Sequence, residues 1–263
     1  MNEVISYYTK YAEENRLFSS RCQYSEFLVT MHLLRKYISI QNAAILDCCA
    51  GTGAYAFALA EEGARVTAGD LVPEHEKKMR KNPKADLLKE IYTGSALDLS
   101  RFTDNTFDVV LCMGALYHLP DEHDRDRCIH ECLRVLRPGG ILVCAWESHL
   151  ALALGRHLLA IRQTDPSLRR EVFQSVDDCC RTQIRDIFYG MTPEEVEAIA
   201  DRYPVERVAN ACTYAALYPV SQFVDDYTDE EYEQYIRCLI ETCEDELSVK
   251  YAMHGLYLCR KQA

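Results

Sequence analysis

An acid, two glycines and a second acid at set intervals are the part of this sequence that is equipped for chemistry. They lie in "ILDCCAGTGAYAFALAEEGARVTAGD", residues 45–70. Asp47 closes a short apolar run, Gly51 and Gly53 follow within one turn, and Asp70 closes a second apolar run. Glycines let the backbone approach a ligand closely, and the helix that follows them directs its N-terminus at that ligand. An acid ending the second strand accepts hydrogen bonds from ribose hydroxyls. Residues 51–56 also satisfy the loose dinucleotide pattern G-x-G-x-x-G/A. The stretch therefore builds a crevice for an adenosine-bearing cofactor, and it fits NAD and S-adenosylmethionine (SAM) alike.

Positioning such residues takes alternating strands and helices. Strands are expected at 44–48, 65–70, 89–93, 107–113 and 140–147, with helices at about 53–62, 73–81 and 121–136. That alternation means a parallel sheet covered on both faces, with its ligand outside the carboxyl ends of the strands. Residues 1–40 read as helices, with Phe27, Leu28, Met31, Leu34 and Ile38 as the apolar stripe. Residues 148–190 look helical, and Thr192, Pro193 and Glu195 form a capping box that opens a further helix. Two late strands are expected at 205–216 and 252–260, with a helix at about 228–247 between them. The division expected is a helical lid over 1–43, then a core over 44–263 with helical insertions at about 148–190 and 218–248.

Composition narrows the classes. The chain has 263 residues, 48% of them hydrophobic, which suits one large domain with a full core. No apolar run approaches the roughly 20 residues that span a bilayer, and the polar start "MNEVISYYTKYAEENRLF" reads as neither signal nor transit peptide. A cytoplasmic protein without membrane partners is expected. Thirteen cysteines with no C-x-x-C pair read as reduced core residues. Cys128 and Cys132 share a helix face while His130 points elsewhere, so no metal site is expected there. The formal charge is −12, and residues 225–246 hold ten acids against one Arg. Nucleic acid, which calls for a basic face, is disfavoured as a partner.

The choice between cofactors is made downstream. "YTGSALDL" (92–99), "FDVVLCMGALYHL" (107–119) and "HECLRVLRPGGILVCAW" (130–146) follow in the order and spacing that resembles the class I SAM-dependent methyltransferases. "YYTKYAEENRL" (7–17), "SEFLVTMHLL" (25–34), "GALYHLPDE" (114–122) and "MHGLYLCRK" look like a bacterial branch of small methyltransferases within that class. The resemblance implies a Rossmann-like α/β fold: seven strands, the last antiparallel, with helices on both faces and helical cap insertions. SAM would be the cofactor, S-adenosylhomocysteine its product, and a small molecule the acceptor.

It also implies roles at matching positions. Asp47 would orient the first loop, with Cys49 where the family has a glycine, and Gly51 and Gly53 would pass under the methionine part. Asp70 would hold both ribose hydroxyls with Leu71 beside it, and Ser95 and Ala96 would lie by the adenine, with Asp98 a substitute acid. Met113 and Gly114 would border the transferred methyl. In related enzymes an N-terminal helix closes over the methionine end, which makes Tyr8, Tyr11 and Arg16 the candidates here. Tyr117 and His118 follow the fourth strand, where the acceptor should lie, with His118 as a candidate base. Trp146 and Glu147 would wall the pocket, while His149 and His254 read as core or surface residues. The rivals are a nucleic-acid methyltransferase, which lacks an N-P-P-[FYW] or D-P-P-[FYW] motif here, a non-catalytic SAM-binding protein and an NAD oxidoreductase.

Overall fold

The computed structural model describes residues 2–11, 13–154, 163–214 and 223–263. Its centre is a seven-stranded sheet in the order β3-β2-β1-β4-β5-β9-β8. The strands are β1 (Ala44–Asp47), β2 (Arg65–Asp70), β3 (Glu90–Thr93), β4 (Phe107–Cys112), β5 (Leu136–Glu147), β8 (Val205–Tyr214) and β9 (His254–Lys261). The first five run parallel, and β9 runs antiparallel to both of its neighbours. Strands buried on both faces explain the near-continuous apolar runs "AILD" and "DVVLC". Ile45 pairs with Val66 on one side and Val109 on the other, so β1 lies where the strand order reverses. That reversal opens the crevice.

Strand β5 begins earlier than its apolar run. It absorbs "LRPGG" from Leu136, with a register shift against β4 between Phe107 and Val109. Gly139 sits at φ 80°, a conformation other residues adopt only with strain, and it makes this bulge possible.

The helices α1 (Asn2–Lys10), α2 (Glu13–Arg16), α3 (Arg21–Tyr37), α4 (Ala54–Glu61), α5 (Pro73–Lys81) and α6 (Glu122–Val135) flank or precede the sheet. Helix α3 starts at Ser20, whose side chain accepts from the Gln23 N–H. Its buried face is Cys22, Glu26, Val29 and Leu33 together with Met31 and Leu34. Phe27 and Leu28 are only half-buried, so the stripe is rotated from the expected one, because Glu26 and Ser25 are also taken into the interior. A purely apolar reading cannot see that.

Among the described residues of the 148–190 insertion, 149–154 and Pro166–Thr182 are helical, but Gln183 turns left-handed at φ 58° and a two-stranded hairpin follows. Residues 155–162 lie outside the described residues. Its strands are β6 (Ile184–Arg185) and β7 (Phe188–Tyr189), and Asp186 takes the φ 54° turn position that an Asp tolerates. The capping box forms as expected: Thr192 Oγ1 accepts from Glu195 N–H at 3.2 Å and the Glu195 carboxylate accepts from Thr192 N–H at 2.7 Å. A second capping box, Thr228 with Glu231, opens the helix Asp229–Thr242. The expected 205–216 strand is present as Val205–Tyr214, and residues 215–222, on which the rest of that strand and the start of the 218–248 insertion were expected, lie outside the described residues. Among the described residues, no helix is long and apolar enough to cross a membrane.

Candidate functional site

A cavity of about 210 Å³ lies over the carboxyl ends of β1, β2 and β4. Its floor is the loop from Cys48 to Ala54, its near side runs from Asp70 to His75 and from Ser95 to Leu97, and its far side runs from Met113 to Leu119. Tyr8, Tyr11, Glu13 and Arg16 form the roof.

The floor is shaped by backbone. Gly51 has φ 55° and Gly53 φ 93°, and Gly53 also caps α4. A Cβ on Gly53 would come within 2.6 Å of the Phe57 ring, so conformation and packing both demand glycine there. Asp70 ties the loop down: its Oδ2 accepts from Gly51 N–H at 2.7 Å, and its Oδ1 accepts from Val72 N–H at 2.8 Å and lies 3.0 Å from His75 Nδ1. Beneath, Asp47 is 1% exposed with Oδ1 unpartnered. Burial, reinforced by the nearby Asp70 charge, pushes its carboxyl up to about 8. Asp47 does not itself line the cavity; it supports the loop that does.

Side chains bring the roof and the far side together. His118 Nδ1 is 3.0 Å from the Ile187 carbonyl, and Nε2 is 3.1 Å from the Tyr8 hydroxyl. A carbonyl can only accept, so Nδ1 carries the proton and Nε2 accepts from Tyr8. Burial lowers the ring to about 4, which leaves it neutral at pH 7. Tyr117 stacks on Phe188 at 6.2 Å, and its hydroxyl donates to the Met113 carbonyl at 3.4 Å. Tyr11 stacks on Tyr7 at 5.7 Å.

Arg16 lies at the roof with two carboxylates of the chain already on it. Nη1 reaches both oxygens of Glu26 at 3.0 Å, and Nε reaches Glu13 at 3.0 Å. Burial works against this cation, yet Glu26 and Glu13 outweigh it and hold it well above its ordinary value. Nη2 is the part of the fork left over.

The structure thus brings Tyr8, Tyr11, Arg16, Cys49, Gly51, Asp70, Leu71, Ser95, Ala96, Met113, Gly114, Tyr117 and His118 to one cavity. Gly53 does not border it, although its neighbours Thr52 and Ala54 do. Asp98 is exposed, accepts from Ser100 N–H and does not border the cavity. Trp146 also departs from expectation: it is fully buried, donates from Nε1 to Asn210 at 3.1 Å, and faces away, while Glu147 reaches the cavity. Adjacent residues of a strand point to opposite faces, so the two could not both wall one pocket. His149 binds the Cys179 carbonyl away from the cavity, whereas His254 borders it.

Several lining residues carried no signal in the sequence reading: Glu13, Tyr55, His75 and Phe188. Three of them hold buried polar atoms without partners, namely Glu13 Oε2, Tyr55 Oη and His75 Nε2. Buried polar groups are normally satisfied, so three such atoms around one cavity fit a polar ligand. A glycine floor, a carboxylate at the second strand and an apolar slot at Ala96 and Leu97 fit an adenosine-bearing one. Under the sheet, Cys128 and Cys132 share a face and meet Cys112 from β4, the three sulfurs lying within 4.8 Å of one another. All three are fully buried in the core.

Comparison with known proteins agrees with this geometry. The methyltransferase-domain family matches residues 46–144. A ubiquinone biosynthesis O-methyltransferase from Xylella fastidiosa (strain M23) is 36% identical over 134 residues, 51% of this chain and 52% of that one. The chain therefore spans about half the length of the curated relatives it matches. Among solved structures, the PH0226 protein from Pyrococcus horikoshii is 18% identical with a TM-score of 0.63, covering 98% of this chain and 99% of that one. Magnesium protoporphyrin IX methyltransferase from Synechocystis, solved with S-adenosylhomocysteine bound, is 12% identical with a TM-score of 0.57, covering 92% and 86%.

Proposed function

We propose that this chain is a class I SAM-dependent methyltransferase and transfers the methyl of SAM to a small-molecule acceptor in the roofed cavity. One observation carries the reading. The glycine floor with Asp70 and the Met113–His118 segment border the same enclosed space, so a cofactor on the first would present its reacting end to the second.

SAM supplies an electrophilic methyl on a sulfonium. The chain's own residues hold, orient and enclose. Gly51 lets the loop pass close beneath the cofactor, while Asp70 and the Ser95–Leu97 slot take its adenosine. Arg16 and Glu13 would meet its charged amino-acid end, and Tyr8 would set an aromatic face toward the sulfonium, worth roughly 0.5–2 kcal/mol. Tyr8, Tyr117, His118 and Phe188 exclude water, which makes alignment the main contribution to rate. His118 Nε2 is unprotonated and accepts from Tyr8, so a hydroxyl acceptor in the place of Tyr8 would be oriented by the same nitrogen, while a ring held near 4 is a weak base.

A small acceptor is supported by the enclosed cavity, by the −12 charge and by relatives named for ubiquinone biosynthesis. The test is transfer of labelled methyl from SAM to a panel of phenols, amines and thiols. A labelled small product that disappears in Asp70→Ala supports the proposal. SAM binding without transfer to any class leaves a binding protein, and label moving into RNA would reassign the acceptor.

A further inference from the structure

We propose that His75 reads the cofactor ribose together with Asp70, its Nε2 meeting the hydroxyl that Asp70 has no room for. This rests on the SAM-dependent reading above and assigns a residue that the family resemblance does not.

A carboxylate offers about four acceptor sites. On Asp70, Gly51 N–H takes one on Oδ2, while Val72 N–H and His75 Nδ1 take two on Oδ1. One site remains, on Oδ2. A ribose diol brings two hydroxyls, so a single carboxylate held in this way can accept from only one of them.

His75 supplies the second partner. Its Nδ1 faces an oxygen that already accepts from a backbone N–H, so the ring donates there and Nε2 becomes the free end. The residue is 3% exposed and borders the same cavity as Asp70, and Nε2 has no partner. The Tyr8 ring packs edge-on against the imidazole at 5.8 Å, which places His75 under the roof. A hydroxyl both donates and accepts, so it satisfies Nε2 whether that nitrogen is bare or protonated. The sequence places His75 here by geometry: Pro73 starts α5 immediately after the Asp70 turn, and the first helical turn carries His75 back beside the carboxylate.

The test is calorimetric titration with S-adenosylhomocysteine and its 2′-deoxy and 3′-deoxy analogues. In His75→Asn the shorter amide still reaches Asp70 but leaves nothing at the Nε2 position. This variant should bind S-adenosylhomocysteine about 3–10-fold more weakly, the loss of one hydrogen bond. It should also become indifferent to one deoxy analogue while still rejecting the other. His75→Gln, whose amide reaches the Nε2 position, should recover part of that discrimination. If His75→Asn binds as the wild type does, or still rejects both analogues equally, His75 only props Asp70 and the inference fails. Ring-nitrogen NMR of the wild-type chain decides without a variant. S-adenosylhomocysteine should shift the His75 Nε2 signal and one deoxy analogue should not; equal shifts contradict the proposal. Failure of the wild type to bind S-adenosylhomocysteine at all would instead overturn the methyltransferase reading.

Discussion

The two sides of the cavity are built by different means. The cofactor side, residues 47–53 and 70–75, is made of backbone shape and short-range contacts, with Asp70 reaching Gly51 only 19 positions back. The roof and far side are assembled from distant side chains: Tyr8 meets His118 across 110 positions, and His118 meets Ile187 across 69. Backbone shape tolerates little change and gives a fixed crevice. A roof held by side-chain contacts, Tyr8 on His118 and Arg16 on Glu26, together with ring packing would open more readily for a ligand to enter.

The largest effects should come from breaking the backbone side. Gly53→Ala forces a side chain onto φ 93° and into the Phe57 ring. It should lower stability by at least about 1–2 kcal/mol and abolish cofactor binding, as read by melting and calorimetry. Asp70→Ala removes the acceptor for two backbone N–H groups and for the ribose. It should weaken S-adenosylhomocysteine by roughly 1.5–3 kcal/mol, and unchanged affinity in a folded variant would remove Asp70 from the site.

The two sides should also part in their pH response. His118 is depressed from 6.5 to about 4. The unfolded chain therefore takes up a proton before the folded one does, and the stability this ring contributes is present above pH 6.5 and is lost as pH falls toward 4. The loss is on the order of 2–3 kcal/mol, and His118→Phe should flatten it. Asp47, raised from 3.8 to about 8, acts oppositely, its contribution draining away as pH rises from 3.8 through 8. Asp47→Asn should make the ligand-free protein more stable at pH 8 than the wild type, as pH-dependent melting would show.

The smallest effect sharpens the contrast. Tyr8→Phe removes one hydrogen bond, worth about 0.5–1.5 kcal/mol, and should leave the melting temperature nearly unchanged. Hydrogen exchange over residues 2–17 should nonetheless rise, and SAM should restore less protection there than in the wild type. Equal exchange in both would mean that the roof is held by packing alone.

That same division governs what was legible in the sequence. Asp47, the glycines and Asp70 are readable because strand ends, tight turns and helix starts are written within a few residues of each other. The seven strands and the antiparallel β9 followed from strand patterning joined to the family resemblance. What escaped depends on long-range packing. Nothing near Arg16 announces that Glu26 would occupy it from the next helix, and nothing near His118 fixes its tautomer except a carbonyl in a distant hairpin. The hairpin was missed because Ile184–Tyr189 is too short to show a strand period. The α3 stripe was misjudged because Ser25 and Glu26 are buried by partners rather than by hydrophobicity. Trp146 and Glu147 were separable in principle, since period-two alternation alone puts them on opposite faces.

The central claim is that this cavity holds SAM and not a dinucleotide. Titration of the wild-type chain with S-adenosylhomocysteine and with NAD, each followed by hydrogen exchange, tests it most directly. Saturable binding of S-adenosylhomocysteine alone, with protection gained at both 47–53 and 2–17, is the predicted result. Binding of NAD in its place, or protection confined to segments away from Gly51 and Asp70, would contradict the account.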